Sequence, residues 1–149
     1  MKLLLICTSG GHFSTMKSLK SFWSSHERVW VTDYKKDTAI LEDTEKVYWL
    51  PYQAPRNLLT FILNLPETLR ILRLEKPDLI ISTGASIAVN FGFLAKLLGM
   101  KFIYIESISR AKKLSISGRL VYLISDEFYV QWPELCEKYS KAIFKGYAS

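Results

Sequence analysis

Two stretches, Lys2-Leu3-Leu4-Leu5-Ile6-Cys7-Thr8-Ser9-Gly10-Gly11-His12 and Asp78-Leu79-Ile80-Ile81-Ser82-Thr83-Gly84-Ala85-Ser86, decide the fold of this 149-residue chain. Each is an apolar run of strand length that ends in a glycine-bearing turn, and a helix-like segment follows each turn. In an open parallel sheet, two such strand–turn–helix units place both turns at the carboxyl edge. Glycine lets the backbone approach a ligand closely, while the following helix offers unpaired N–H groups and the positive end of its dipole. Two such cradles on one edge suit a phosphorylated ligand, expected to be a diphosphate. Ser9, Gly10 and Gly11 would hold it from the first turn, and Gly84, Ala85 and Ser86 from the second.

Outward from these turns the chain alternates. Strand-like runs recur at 2–7, 28–33, 46–50, 78–82, 101–106 and 127–130, rich in Val, Ile, Leu, Tyr and Trp. Helical patterns lie between them. Residues 13–24 carry Met16, Leu19, Phe22 and Trp23 at spacings of three and four. Residues 57–75 form one long helix kinked at Pro66, or a pair with Pro66 opening the second. Residues 86–98 are apolar nearly all round and stop at Gly99, and 115–124 and 133–142 complete the series. The alternation predicts an α/β fold, a doubly wound, mainly parallel Rossmann-like sheet, in a single domain spanning 1–149. Right-handed crossovers put the first and fourth strands side by side, so the glycine turns face each other across one crevice.

Composition narrows the function. The apolar fraction of 49% suits a packed core, and Cys7 and Cys136 lack the paired spacing of a disulfide framework, which favours a reduced, cytoplasmic chain. No apolar run is long enough to span a bilayer. The net charge is +6. Part of the excess, Arg56, Arg70, Arg73 and Lys76, surrounds an apolar stretch that includes Leu58, Leu59, Phe61 and Ile62. A basic rim around an apolar helix face fits an anionic membrane surface; a core-facing helix with a solvated charged side is the plainer alternative. The rest gathers at Arg110, Lys112, Lys113 and Arg119. Neither a recognised nucleic-acid fold motif nor an interleaved basic–aromatic run is present, so nucleic acid is not the expected partner.

The Gly10-Gly11 turn matches a dinucleotide fingerprint only in part, because its glycines are adjacent and the third is missing. Asp33, ending the second strand, stands where an acid would hold a ribose, so a small dinucleotide-dependent reductase stays open, as does a tight turn without a ligand. A Walker lysine motif is absent. His12, in the first turn of its helix, is placed to act as a general base or to hydrogen-bond a phosphate. Glu106, at the end of the fifth strand, is positioned to hold sugar hydroxyls, to serve as a base, or to pair with Arg110. His26 lies far from that edge. The sequence carries no metal-ligand cluster, and neither a metal nor a cofactor is expected.

The carboxyl third has its own texture: Glu106-Ser107, Arg110, Leu114-Ser115-Ile116-Ser117-Gly118, then Gln131-Trp132-Pro133. With the Gly-Gly-His and Ser82-Thr83-Gly84-Ala85 turns, this series resembles the oligosaccharide-biosynthesis family of split glycosyltransferases over nearly the whole chain. Its bacterial members serve capsule and exopolysaccharide synthesis, and its eukaryotic member is a membrane-recruiting subunit. The resemblance implies the amino-terminal, acceptor half of a GT-B enzyme, with a separate donor-binding glycosyltransferase subunit as partner. It also implies a lipid-diphosphate-linked saccharide as acceptor. His12 and Glu106 become the catalytic candidates, and Arg110 joins the diphosphate-binding residues. Eukaryotic members begin with a membrane-spanning helix that this chain lacks, so the basic–apolar patch would hold it peripherally at the inner face of the cell membrane. A non-catalytic recruitment scaffold is the alternative from another class.

Overall fold

The computed structural model describes residues 1–54 and 56–148. Its sheet is built outward from β1 (Lys2–Ile6), whose Leu3 to Ile6 are fully buried. A strand covered on both faces reads as a continuous apolar run, and Leu-Leu-Leu-Ile is one. It pairs in parallel with β2 (Glu27–Thr32) on one side and β4 (Leu79–Ser82) on the other. With β3 (Val47–Trp49), β5 (Phe102–Ile105), β6 (Glu127–Val130) and β7 (Ala142–Phe144), the order is β3-β2-β1-β4-β5-β6-β7, all parallel. The expected adjacency of the first and fourth strands holds.

Helices pack on both faces. On one face, α1 (Gly11–Ser18) and α2 (Lys20–Trp23) press Phe13, Met16 and Trp23 against Leu3, Leu5, Trp30 and Ile81. On the other, α3 (Leu58–Glu75), α4 (Ile87–Leu98), α5 (Ile116–Tyr122) and α6 (Leu135–Lys138) cover Leu4, Ile6, Ile80, Phe102 and Phe128. Alternating side chains along each strand thus feed two separate apolar layers.

Several elements depart from expectation. The single helix read over 13–24 starts earlier, at Gly11, and breaks at Leu19, whose ψ of 14° is off the helical value. The Trp23 indole donates to the Met16 carbonyl at 2.8 Å, beside the bond that carbonyl takes from the Leu19 amide at 3.1 Å, and so braces the break. Pro66 sits inside one continuous 18-residue helix, α3, which removes the two-helix alternative. Its ring lies on the exposed face, where the carbonyl that loses its helical donor is on the solvent side. Asn57 caps α3 by accepting from the Thr60 amide, and Lys76 ends it in the left-handed conformation. The helix expected over 133–142 shrinks to one turn, α6, because Tyr139 is extended and Ala142–Phe144 join the sheet as a seventh strand. A short 3-10 turn at Thr38–Leu41 was also not legible beforehand.

Candidate functional site

Because β1 and β4 are neighbours, the turns that leave them touch. The His12 ring donates from Nδ1 to the Thr83 carbonyl at 2.8 Å, and the Thr83 hydroxyl returns a bond to the His12 carbonyl at 2.6 Å. A carbonyl only accepts, so the proton of the neutral ring sits on Nδ1 and Nε2 carries the lone pair. Gly84 makes room for this. A Cβ there would stand 2.6 Å from His12 Nδ1 and Cε1, and its φ of +120° also disfavours a side chain.

The first turn corrects the expected cradle. The Ser9 amide and hydroxyl donate to the two Asp33 oxygens at 2.7 and 2.9 Å, and the Gly10 amide donates to Asp37 at 2.7 Å. Carboxylates of this chain occupy the donors proposed for a diphosphate at Ser9 and Gly10. Asp33, the acid that kept a dinucleotide reading open, is engaged in holding the turn. Gly11 has ordinary backbone angles and open space at its Cβ position, but it does not line the cavity described below, nor do Gly10 and Gly84.

The second turn is strained where it meets the cavity: Ala85 holds φ at +82°, outside the regions usual for an L side chain. A buried amide network stabilises it. Gln53 Nε2 donates to the Ser86 carbonyl and to Asn90 Oδ1, Asn64 donates to Gln53 Oε1, and the Ser86 hydroxyl bonds the Gln53 carbonyl. The network ties the segment before α3 over the start of α4, which brings Tyr52 and Arg56 to the site. Ser86 Oγ is therefore already engaged. Sequence reading missed Gln53 and Asn90; the polar Asn90 amid the apolar run of α4 was the available signal.

These pieces surround a cavity of about 610 Å³ at the carboxyl edge of the sheet. His12, Ser9, Ala85, Ser86, Glu106 and Arg110 all line it, so most of the expected site residues do converge. Arg56, Lys113 and Arg119 join Arg110 around it. Among the described residues, none of these four cations is in an ion pair. Unpaired guanidinium and ammonium groups around one cavity attract a multiply charged anion.

Glu106 lines the cavity with its carboxylate engaged inside the chain. It is 1% exposed, and its carboxylate accepts from the Ser107 amide, the Ser115 amide and the Ser115 hydroxyl, all near 2.9 Å. It does not pair with Arg110. It closes the two ends of the 107–115 loop, which carries Arg110 and Lys113. Burial, with Glu106 beside it, pushes the Tyr104 phenol far up, so Tyr104 stays a neutral donor. Gly118 lies against Glu106, and a Cβ there would collide with the carboxylate. Gln131 donates to the Glu106 carbonyl and accepts from the Ala148 amide, while the Trp132 indole donates to the Ile108 carbonyl at 2.6 Å. The Glu-Ser…Leu-Ser-x-Ser-Gly…Gln-Trp series is thus one interlocked support for the cationic loop.

On α3, Leu58, Leu59, Ile62 and Leu63 are exposed. Phe61 is half-buried and meets Phe93 edge to face. Arg56 precedes the apolar turns; Pro66, Arg70 and Arg73 continue their exposed face towards the far end. Arg70 departs from the expected open rim, since it is held by Glu67 at 2.5 Å. Among the described residues no helix is long and apolar enough to cross a membrane.

Residues 52–148 match the family described as "Oligosaccharide biosynthesis protein Alg14 like". The chain belongs to this family. The protein of Candida albicans named UDP-N-acetylglucosamine transferase subunit ALG14 is 31% identical over 97% of the chain and 77% of its own length. The namesake of Yarrowia lipolytica is 29% identical over 97% and 80%. The human namesake is 42% identical across 77 residues, which is 48% of the chain and 36% of that protein. Among solved structures, MurG of Acinetobacter baumannii superposes with a TM-score of 0.78 at 14% identity, over 98% of the chain and 45% of MurG. The UDP-GlcNAc 2-epimerase of Methanocaldococcus jannaschii gives 0.72 at 17%, over 97% and 45%. The fold is that of one half of a GT-B enzyme, and the chain spans less than half of those structures.

Proposed function

We propose that this chain is the acceptor-binding, membrane-associating subunit of a two-component glycosyltransferase. The observation that carries the reading is the open Nε2 of His12, fixed by Thr83, at a cavity ringed by Arg56, Arg110, Lys113 and Arg119. The acceptor is a saccharide on a polyprenyl diphosphate, and the cations hold its diphosphate. Family membership supports a nucleotide diphosphate sugar as donor, and the names of the relatives favour UDP-N-acetylglucosamine. A separate subunit supplies the donor site, a reading supported by the relatives' being named as subunits of a transferase.

In this reaction His12 Nε2 takes the proton of the acceptor hydroxyl as its oxygen bonds the anomeric carbon. The bond from that carbon to the nucleotide diphosphate breaks, and the diphosphate leaves with the electron pair. A positioned base of this kind contributes about 100- to 10,000-fold. The apolar turns of α3 and the flanking arginines rest the subunit on the anionic inner face of the membrane, bringing the cavity to its lipid substrate. The occupied Asp33 leaves the dinucleotide-reductase reading without its ribose ligand.

Purification with the donor-binding partner, followed by transfer assays from a panel of nucleotide sugars to a lipid-diphosphate acceptor, tests the reading. Activity is expected from the pair alone. Robust turnover by the single chain, or none by the pair with any donor, would overturn it.

A further inference from the structure

Beside the charged cavity runs a second depression, an apolar groove of about 530 Å³ between the start of α3 and the exposed sides of α4 and α5. Phe61, Val89, Phe93, Leu120 and Leu123 line it. Phe93, Leu120 and Leu123 are 45, 58 and 79% exposed, a concentration of open apolar surface that marks a binding face. Arg56, Ser86, Ile116 and Ser117 line both the groove and the cavity, so the two form one trough with a cationic end and an apolar end.

We infer that the apolar groove binds the first isoprene units of the prenyl chain whose diphosphate lies among the cations, an inference that rests on the acceptor reading above. The ligand of such a trough has a multiply charged anion joined directly to a narrow hydrocarbon. Four cations, none in an ion pair among the described residues, outnumber the single charge of a phosphodiester and fit a diphosphate. The volume fits one chain: an apolar cavity of about 150 Å³ holds a six-carbon ring, so the groove admits about three such volumes. That is the scale of a few five-carbon units, leaving the remainder of a long chain to pass over Leu58 and Leu59 towards the bilayer. The groove therefore discriminates the substrate by its tail, apart from any recognition of its sugar.

The test is calorimetric binding of the full chain, without membranes, to farnesyl diphosphate and to inorganic pyrophosphate. Each methylene removed from water strengthens binding roughly fourfold, so farnesyl diphosphate should bind at least tenfold more tightly than pyrophosphate. Leu120→Asp and Phe93→Asp, at exposed positions, should abolish that advantage and leave pyrophosphate binding unchanged; the milder Leu120→Ala should reduce it. Pyrophosphate binding with no gain from the farnesyl chain would overturn the groove assignment and leave the acceptor reading standing. Failure of both probes to bind would overturn both. Loss of anionic-vesicle binding in these variants, with no farnesyl advantage in the parent, would make the groove a membrane-contact face and overturn the assignment too.

Discussion

His12 and Thr83 hold each other reciprocally: ring Nδ1 to carbonyl at 2.8 Å, hydroxyl to carbonyl at 2.6 Å, across 71 residues of chain. The pair fixes the tautomer of the histidine and joins the two glycine turns. Rigid support of this kind makes an imidazole a useful base, because its reactive nitrogen needs no reorientation.

Displacing the ring should therefore act like deleting it. Gly84→Ala places a methyl against His12, and in the reconstituted pair turnover is expected to fall about 100-fold or more, approaching His12→Ala. Farnesyl diphosphate binding should change little in His12→Ala. A loss below tenfold in His12→Ala would reduce the histidine to a positioning role.

Glu106 behaves differently. Glu106→Ala removes an acceptor shared by both ends of the 107–115 loop and strands buried donors, so the unfolding free energy should drop by about 3 kcal/mol. Glu106→Gln should retain part of that stability, and the loop should become open to proteolysis in both. The pH–rate profile of surviving activity should keep its shape; a lost limb would return Glu106 to the chemistry.

Far from the site, Glu75 predicts the acid response. Burial alone would raise its pKa, but hydrogen bonds from Lys2, Lys46 and Tyr48 overcome this and hold it at about 2, below the ordinary 4.5. A depressed carboxylate contributes stability above its unfolded value and loses it as pH falls through the folded one. Stability should therefore decline between pH 4.5 and 2, with about 1–2 kcal/mol from this residue after screening of the exposed Lys46. Glu75→Gln should flatten that part of the urea-denaturation profile.

The two thiols should separate in alkylation. Burial pushes the Cys7 thiol up to about 12, whereas Cys136 is half-buried. Native protein at pH 8 should take one iodoacetamide, at Cys136, and the unfolded chain two, read by peptide mass spectrometry. Rapid native modification of Cys7 would mean that the β1 layer opens easily.

Membrane contact is tested on the apolar half of α3. Leu59→Glu with Ile62→Glu should strongly reduce sedimentation with anionic liposomes. Arg56→Glu and Arg73→Glu should weaken it by about 1 kcal/mol for each basic side chain removed, more visibly at low salt. Arg70→Glu should do less, since Glu67 already offsets that charge. Unchanged binding in the leucine–isoleucine double variant would place the contact elsewhere.

The central strands and their glycine turns were legible because a strand buried on both faces must be apolar and a chain reversal there needs glycine. The ligating roles were less so. Sequence spacing brought Ser9 and Gly10 to the right edge but could not show that Asp33 and Asp37, over twenty residues away, take their donors. A carboxylate at a strand end such as Glu106 is ambiguous until its neighbours are known, and Ser115 proved to be one of them. Short elements failed for a plainer reason: the single turn of α6 and the three residues of β7 carry too few periodic positions to register, and long-range pairing alone defines them.

The central place of β1 sets a schedule for synthesis. One of its flanks is completed by β2 soon afterwards, but the other waits for β4, and His12 waits for Thr83, 71 residues downstream. At about 5–20 residues per second on the ribosome, that interval is roughly 4–14 s. Throughout it, Leu3 to Ile6 have at most a single neighbour available and the imidazole has no anchor. The nascent chain thus carries its most apolar segment at most half-paired for seconds, and the His12 ring acquires its fixed orientation only once the second glycine turn has emerged.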